Sequence, residues 1–137
     1  MKKRRHEEED LQMAVVQWFD LQYPKLSQFF FHVASGGSRS FKTDRQGRRF
    51  SLEAMRFKKM GVRKGVPDMF LAVPVGRHHG LFLEFKSSIG ALTKEQRTFM
   101  DQAAGWRYAV EVVRSFDEAR VFINVYLKVR YMETRTQ

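Results

Sequence analysis

Three charged residues abut apolar runs. Asp68 precedes Met69-Phe70-Leu71, while Glu84 and Lys86 follow Leu81-Phe82-Leu83. If Leu81 to Lys86 is a strand, side chains two apart leave the same face, so Glu84 and Lys86 share one spot and Phe85 points away. Pairing of the two runs would bring the Asp68 carboxylate within reach of Glu84. Carboxylates that close repel unless a proton or a cation lies between them. An all-oxygen site of this kind suits Mg²⁺ or Mn²⁺, hard ions that keep several waters and engage phosphate oxygens. Such an ion can ready a water to attack a phosphodiester and offset the charge of the transition state. Lys86 would orient or deprotonate that water, or stabilise the developing charge; the residues alone leave these roles open. A plainer reading is also open, since the pattern is short and Glu84 with Lys86 can be a same-face ion pair. The setting favours chemistry, because charges placed against a buried sheet require pairing or a metal.

The elements that must position these residues follow from periodicity. Leu11, Val15, Val16 and Phe19 recur at helical spacing in Glu7 to Tyr23, and Pro24 closes that helix. Phe29 to Val33 reads as a strand, and Ala34 to Arg49 as a long polar loop. A helix from about Leu52 to Met60 ends at Gly61. Asp68 to Val73 and Leu81 to Lys86 are adjacent strands, so nearly continuous in apolar residues that both faces of their sheet should be covered. Thr93 to Ala104 is a helix ended by Gly105, Tyr108 to Val113 a strand, and Ser115 to Leu127 a last helix. Thr93 with Gln96, and Ser115 with Glu118, fit capping boxes. The order predicts one α/β domain spanning residues 1–137, with a mixed sheet flanked by helices and flexible ends at 1–6 and 129–137.

A chain of 137 residues is long enough for one core and too short for two. It has no cysteine, which excludes disulfides and thiolate metal sites and fits a reducing compartment, the cytoplasm by expectation. The basic start, Met1 to Arg5, is followed by Glu7, Glu8, Glu9 and Asp10, so no signal peptide is expected. No apolar run approaches the roughly 20 residues of a spanning helix, and no membrane partner is expected. The net charge of +10 is concentrated: between Arg39 and Lys64 ten basic side chains face only Asp44 and Glu53, a local charge of +8. That suits a polyphosphate, although a solvated basic face or a surface for acidic lipids or proteins fits the charge too. Arg39, Lys42, Arg45, Arg48, Arg49 and Lys64 are the candidate contacts to a nucleic-acid backbone, and Ser35 to Ser38 could offer amides to a phosphate. His78 and His79 read as polar turn residues, and Trp18, Trp106 and most phenylalanines as core.

The stretch GVRKGVPDMFLAVPVGRHHGLFLEFKSSIGALTKEQ, Gly61 to Gln96, resembles the core of VRR-NUC domains, nucleases of the PD-(D/E)XK superfamily. The likeness extends to an N-terminal helix with Glu8, Glu9 and Gln12, the Ser35-Gly36-Gly37 loop, and the last strand and helix. It implies an endonuclease that uses Mg²⁺ or Mn²⁺ on DNA. Standalone members of this length occur in phages and bacteria and act as homodimers on branched DNA such as four-way Holliday junctions. Carried over by residue, Asp68, Glu84 and the carbonyl of Phe85 hold the metal, Lys86 serves the water, and Gln96 matches the family glutamine, besides its capping role. A first-helix glutamate completes such sites; Glu8, on the face of Leu11, Gln12 and Val15, is preferred to Glu9 and then Glu7. A catalytically silent nucleic-acid-binding module, and a nickase, flap or restriction-like nuclease, are the alternatives.

Overall fold

The helical repeat of Leu11, Val15 and Phe19 forms the inner stripe of α1, Lys2–Gln22, in a computed structural model that describes residues 2–34 and 42–135. The helix begins five residues before the expected Glu7, because lysine, arginine and glutamate lose little rotamer freedom in a helix. Pro24 ends it and opens a 3₁₀ turn, Pro24–Phe29, which shortens the first strand to β1, Phe30–His32.

Within the segment that reads as a long polar loop, Lys42–Thr43 (β2) and Arg49–Phe50 (β3) pair as a small hairpin. Asp44 builds the turn by accepting from Gln46 N at 2.9 Å and Arg48 N at 2.8 Å, and Gly47 takes a φ of +80°. Ser51 then caps α2, Leu52–Lys59, its hydroxyl accepting from Ala54 N.

The main sheet has the order β1-β4-β5-β6, with β4 Met69–Leu71, β5 Leu81–Phe85 and β6 Ala109–Val113. β4 runs antiparallel to β1 and β5, and β6 runs parallel to β5, so the sheet is mixed as expected. Met69, Leu71, Leu81, Leu83, Phe85 and Val113 bury one face against Val15 and Phe19 of α1. Ala119, Ile123, Tyr126 and Leu127 of α4, Phe116–Arg135, complete this layer. On the other face Phe82 meets Phe99 of α3, Lys94–Gly105, edge to face at 5.2 Å. Both faces are therefore covered, and side-chain alternation leaves Glu84 on the α3 side with Phe82.

Four local expectations change. Trp106 is 75% exposed and so is not core, whereas Trp18 packs against the core as expected. Helix α3 runs through Gly105, and the left-handed position belongs to Arg107, φ 67°, whose N–H bonds back to Ala104 O at 3.0 Å. Helix α4 continues past Lys128, where the sequence suggests a frayed tail, to Arg135. Its cap differs by one residue: Ser115 Oγ accepts from Glu118 N, but the Glu118 carboxylate accepts from Arg114 N rather than Ser115 N.

Gly65 sets the approach of the segment before Asp68 to α3. It has a φ of +84°, and a Cβ there would lie 2.5 Å from Glu95 O and 3.0 Å from Gln96 N. Gly65→Ala should thus cost at least about 2 kcal/mol, from positive φ plus displaced backbone. Urea denaturation of the variant checks this; an unchanged midpoint would show that the loop relaxes freely.

Candidate active site

Asp68 lies one residue before β4, between two neighbours. Its carbonyl accepts from Val33 N at 2.8 Å, and its N–H donates to Glu84 Oε2 at 3.2 Å. In return, Asp68 Oδ2 accepts from Phe85 N at 2.9 Å. Each carboxylate is thereby anchored on the other residue's strand, and the two side chains also hydrogen-bond to one another. Lys86 Nζ stands 3.8 Å from Glu84 Oε1, with Glu84 only 3% and Lys86 only 9% exposed. The strand pairing that the spacing implied therefore gathers Asp68, Glu84 and Lys86 in one place.

The electrostatics follow from burial. Desolvation, and then the charge of Asp68, push the Glu84 carboxyl up to about 8 against the pull of Lys86. Asp68 is raised as well, chiefly by burial, while the Phe85 N–H and His32 act to lower it. Burial and mutual repulsion thus both favour a proton on the pair over two bare carboxylates.

Gln96 makes the capping contacts and also reaches the carboxylate pair. Its Oε1 accepts from Thr93 N at 2.9 Å and its N–H donates to Thr93 Oγ1, closing the capping box of α3. Its Nε2 donates to Glu84 Oε1 at 2.9 Å. Of the three first-helix glutamates, Glu8 reaches the cluster: its Oε1 accepts from Ser87 N at 3.1 Å, and its charge acts on Asp68. Glu7 is exposed and Glu9 pairs with His6 at 3.7 Å.

Sequence reading missed His32, Ser87 and Arg114. His32 Nδ1 lies 2.9 Å from Gln12 Nε2, which also donates to Met69 Sδ. Arg114 holds the turn after Lys86 through Ser87 O and Gly90 O. No local pattern signals these residues, because their partners are distant in sequence.

Among the described residues, no three Asp, Glu or His side chains are gathered tightly enough to form a ready-made metal cage. The donor set nevertheless fits a hard divalent ion. Asp68 and Glu84 offer paired oxygens whose joint ionisation burial disfavours, a repulsion a cation would relieve, and just past Lys86 the buried Ser87 Oγ has no hydrogen-bond partner.

The basic candidates are dispersed. Lys42, Arg45, Arg48 and Arg49 are all exposed on the β2–β3 hairpin, and Arg48 is paired with Asp44 at 2.8 Å. Lys64 lines a shallow depression with Lys94, Thr98 and Phe99 beside α3. Arg39 and the Ser35-Gly36-Gly37 loop fall outside the described residues.

The family model of the VRR-NUC domain matches residues 6–117. The chain belongs to the VRR-NUC domain family. It is similar to a solved structure titled VRR_NUC domain protein, at 25% identity and a TM-score of 0.71, over 89% of this chain and 88% of that one. No curated protein matches it. As a VRR-NUC domain it is a nuclease of the PD-(D/E)XK type, from a family that works with divalent metal ions. No helix among the described residues is long and apolar enough to cross a membrane.

Proposed function

We propose that the protein is a structure-selective DNA endonuclease that uses Mg²⁺ or Mn²⁺ and cuts branched DNA, such as four-way junctions, as a homodimer. The observation that carries this reading is the meeting of the buried Asp68 and Glu84 carboxylates beside Lys86 Nζ. Asp68, Glu84 and the Phe85 carbonyl would hold the ion, with Glu8 completing the set. When bound, the ion supplies Lewis acidity and a water of lowered pKa.

The chain's own groups account for the rest. Asp68 N and Gln96 Nε2 each hold one oxygen of Glu84, which keeps its carboxylate oriented. Lys86 is buried enough for its charge to be weakly screened, so its Nζ can orient the attacking water, take its proton or offset the charge on the phosphate. Arg39, Lys42, Arg45, Arg49 and Lys64 supply sequence-independent phosphate contacts; Arg48 contributes charge from its place in the hairpin.

The preference for branched DNA and the two-fold assembly rest on the likeness to short standalone members and on the need to cut two strands together. Purified protein with Mn²⁺, incubated with four-way junction, flap, single-stranded and plain duplex DNA, tests the reading. Metal-stimulated cutting should be strongest on the junction, and light scattering should give the mass of a dimer. A silent binding module would instead show salt-dependent binding and no cutting of any form. A monomer at working concentration would remove the paired-cut element.

A further inference from the structure

Arg114 directly follows β6, and its Nη1 donates to two main-chain oxygens, Ser87 O at 2.7 Å and Gly90 O at 2.6 Å. These are the corner carbonyls of the turn after Lys86, which Gly90 N closes by donating to Ser87 O at 3.2 Å. On its other side the turn presents Ser87 N to Glu8 Oε1 at 3.1 Å. The packing there is close: a Cβ on Gly90 would lie 3.0 Å from Ser87 Oγ and 3.3 Å from Glu8 Oε1.

Arg114 is itself held at the junction of sheet and helix. Its N–H donates to Glu118 Oε2 at 3.0 Å, and the preceding residue, Val113, accepts from Lys86 N at 3.0 Å. A continuous set of hydrogen bonds therefore runs from the start of α4, through one guanidinium, to a carboxylate near the start of α1. Charge-assisted bonds to carbonyl oxygens are stronger than neutral ones, and this one cation holds two. Glu8 needs such an anchor, because it lies in the opening turns of a helix, where fraying is greatest.

We propose that Arg114 is a positioning residue for Glu8: by bracketing the Ser87–Gly90 turn, it holds the amide that fixes the Glu8 carboxylate, whose charge acts on Asp68. This rests on the reading of Glu8 as the carboxylate that completes the ion's ligands. Arg114 touches neither the other two carboxylates nor Lys86 Nζ in any described contact, and the turn it brackets meets Glu8 through Ser87 N.

The test is a double-mutant cycle on the full chain, with Mn²⁺ affinity read by calorimetry in the absence of DNA and with thermal unfolding followed alongside. Arg114→Met should weaken Mn²⁺ binding about 10-fold or more, within the range for outer partners of metal ligands. In a Glu8→Gln background the same change should add almost nothing, and Arg114→Lys should recover part of the affinity. Amide exchange at Ser87 should quicken in Arg114→Met. Equal losses in both backgrounds would overturn the proposal, since Arg114 would then act independently of Glu8. If wild type binds Mn²⁺ and Glu8→Gln binds it equally well, Glu8 is not a ligand and the proposal fails with that assignment. If wild type binds no Mn²⁺ at all, the metal-dependent reading itself fails. Should Arg114→Met not fold, Arg114→Lys carries the same cycle.

Discussion

Lys86→Ala should reduce cleavage in Mg²⁺ or Mn²⁺ by about 10²-fold to 10⁴-fold, the usual worth of a positioned proton-transfer or charge-stabilising group. DNA binding should survive, because the basic side chains of the β2–β3 hairpin and Lys64 are exposed, whereas Lys86 is buried and adds little to the surface charge. The loss should fall on kcat, since a group facing the reacting phosphate matters most in the transition state. Single-turnover cleavage under saturating protein, paired with anisotropy titrations in Ca²⁺, separates the two quantities. Full activity in the variant would remove Lys86 from the reaction.

Glu84→Gln should be inactive yet, without metal and at alkaline pH, more stable than wild type. The sign follows from linkage. A carboxyl raised from 4.5 to about 8 stays protonated in the folded chain after the unfolded chain has lost its proton. Its contribution is fully favourable below the unfolded value, declines as pH rises between the two, and is lost above about 8. The resulting penalty is on the order of 3 kcal/mol at pH 8, taking about 1.4 kcal/mol for each tenfold change in proton affinity and allowing for relaxation of the site. Glutamine keeps the shape without the ionisation, so the variant's stability in chelator should hardly change between pH 5 and pH 8. Added Mn²⁺ should stabilise wild type and leave the variant nearly unmoved. Chemical denaturation of both proteins across this range, with and without metal, decides it; parallel pH profiles would show that the pair does not hold the proton.

The sequence made the Asp68, Glu84 and Lys86 cluster legible because strand geometry is local: a period of two sets the shared face, and neighbouring apolar runs pair readily. Glu8 is separable from Glu7 and Glu9 because helical spacing links it to Leu11 and Val15, the side that packs on the sheet. The two jobs of Gln96 look like alternatives in one dimension, yet an amide has an acceptor end for Thr93 N and a donor end for Glu84. The β2–β3 hairpin is hidden by its two-residue strands, although Asp44 and Gly47 at three-residue spacing carry a turn signal. Residue type alone puts Trp106 in the core, but helix α3 turns that position to solvent just before the left-handed Arg107. Arg114 and Ser87 are out of reach, since only the parallel crossover from β5 through α3 to β6 brings them together.

That same layout divides the cluster between neighbouring and distant parts of the chain. Asp68 and Glu84 belong to one antiparallel strand pair and can meet as soon as that pair forms, whereas Glu8 waits for the first helix to dock and Arg114 for the last strand. A chain still being synthesised, or one with its outer helices detached, would carry the acidic pair without its remaining supports. Such a chain would hold Asp68 and Glu84 together without the Ser87 amide on Glu8 or the Arg114 bracket on the turn.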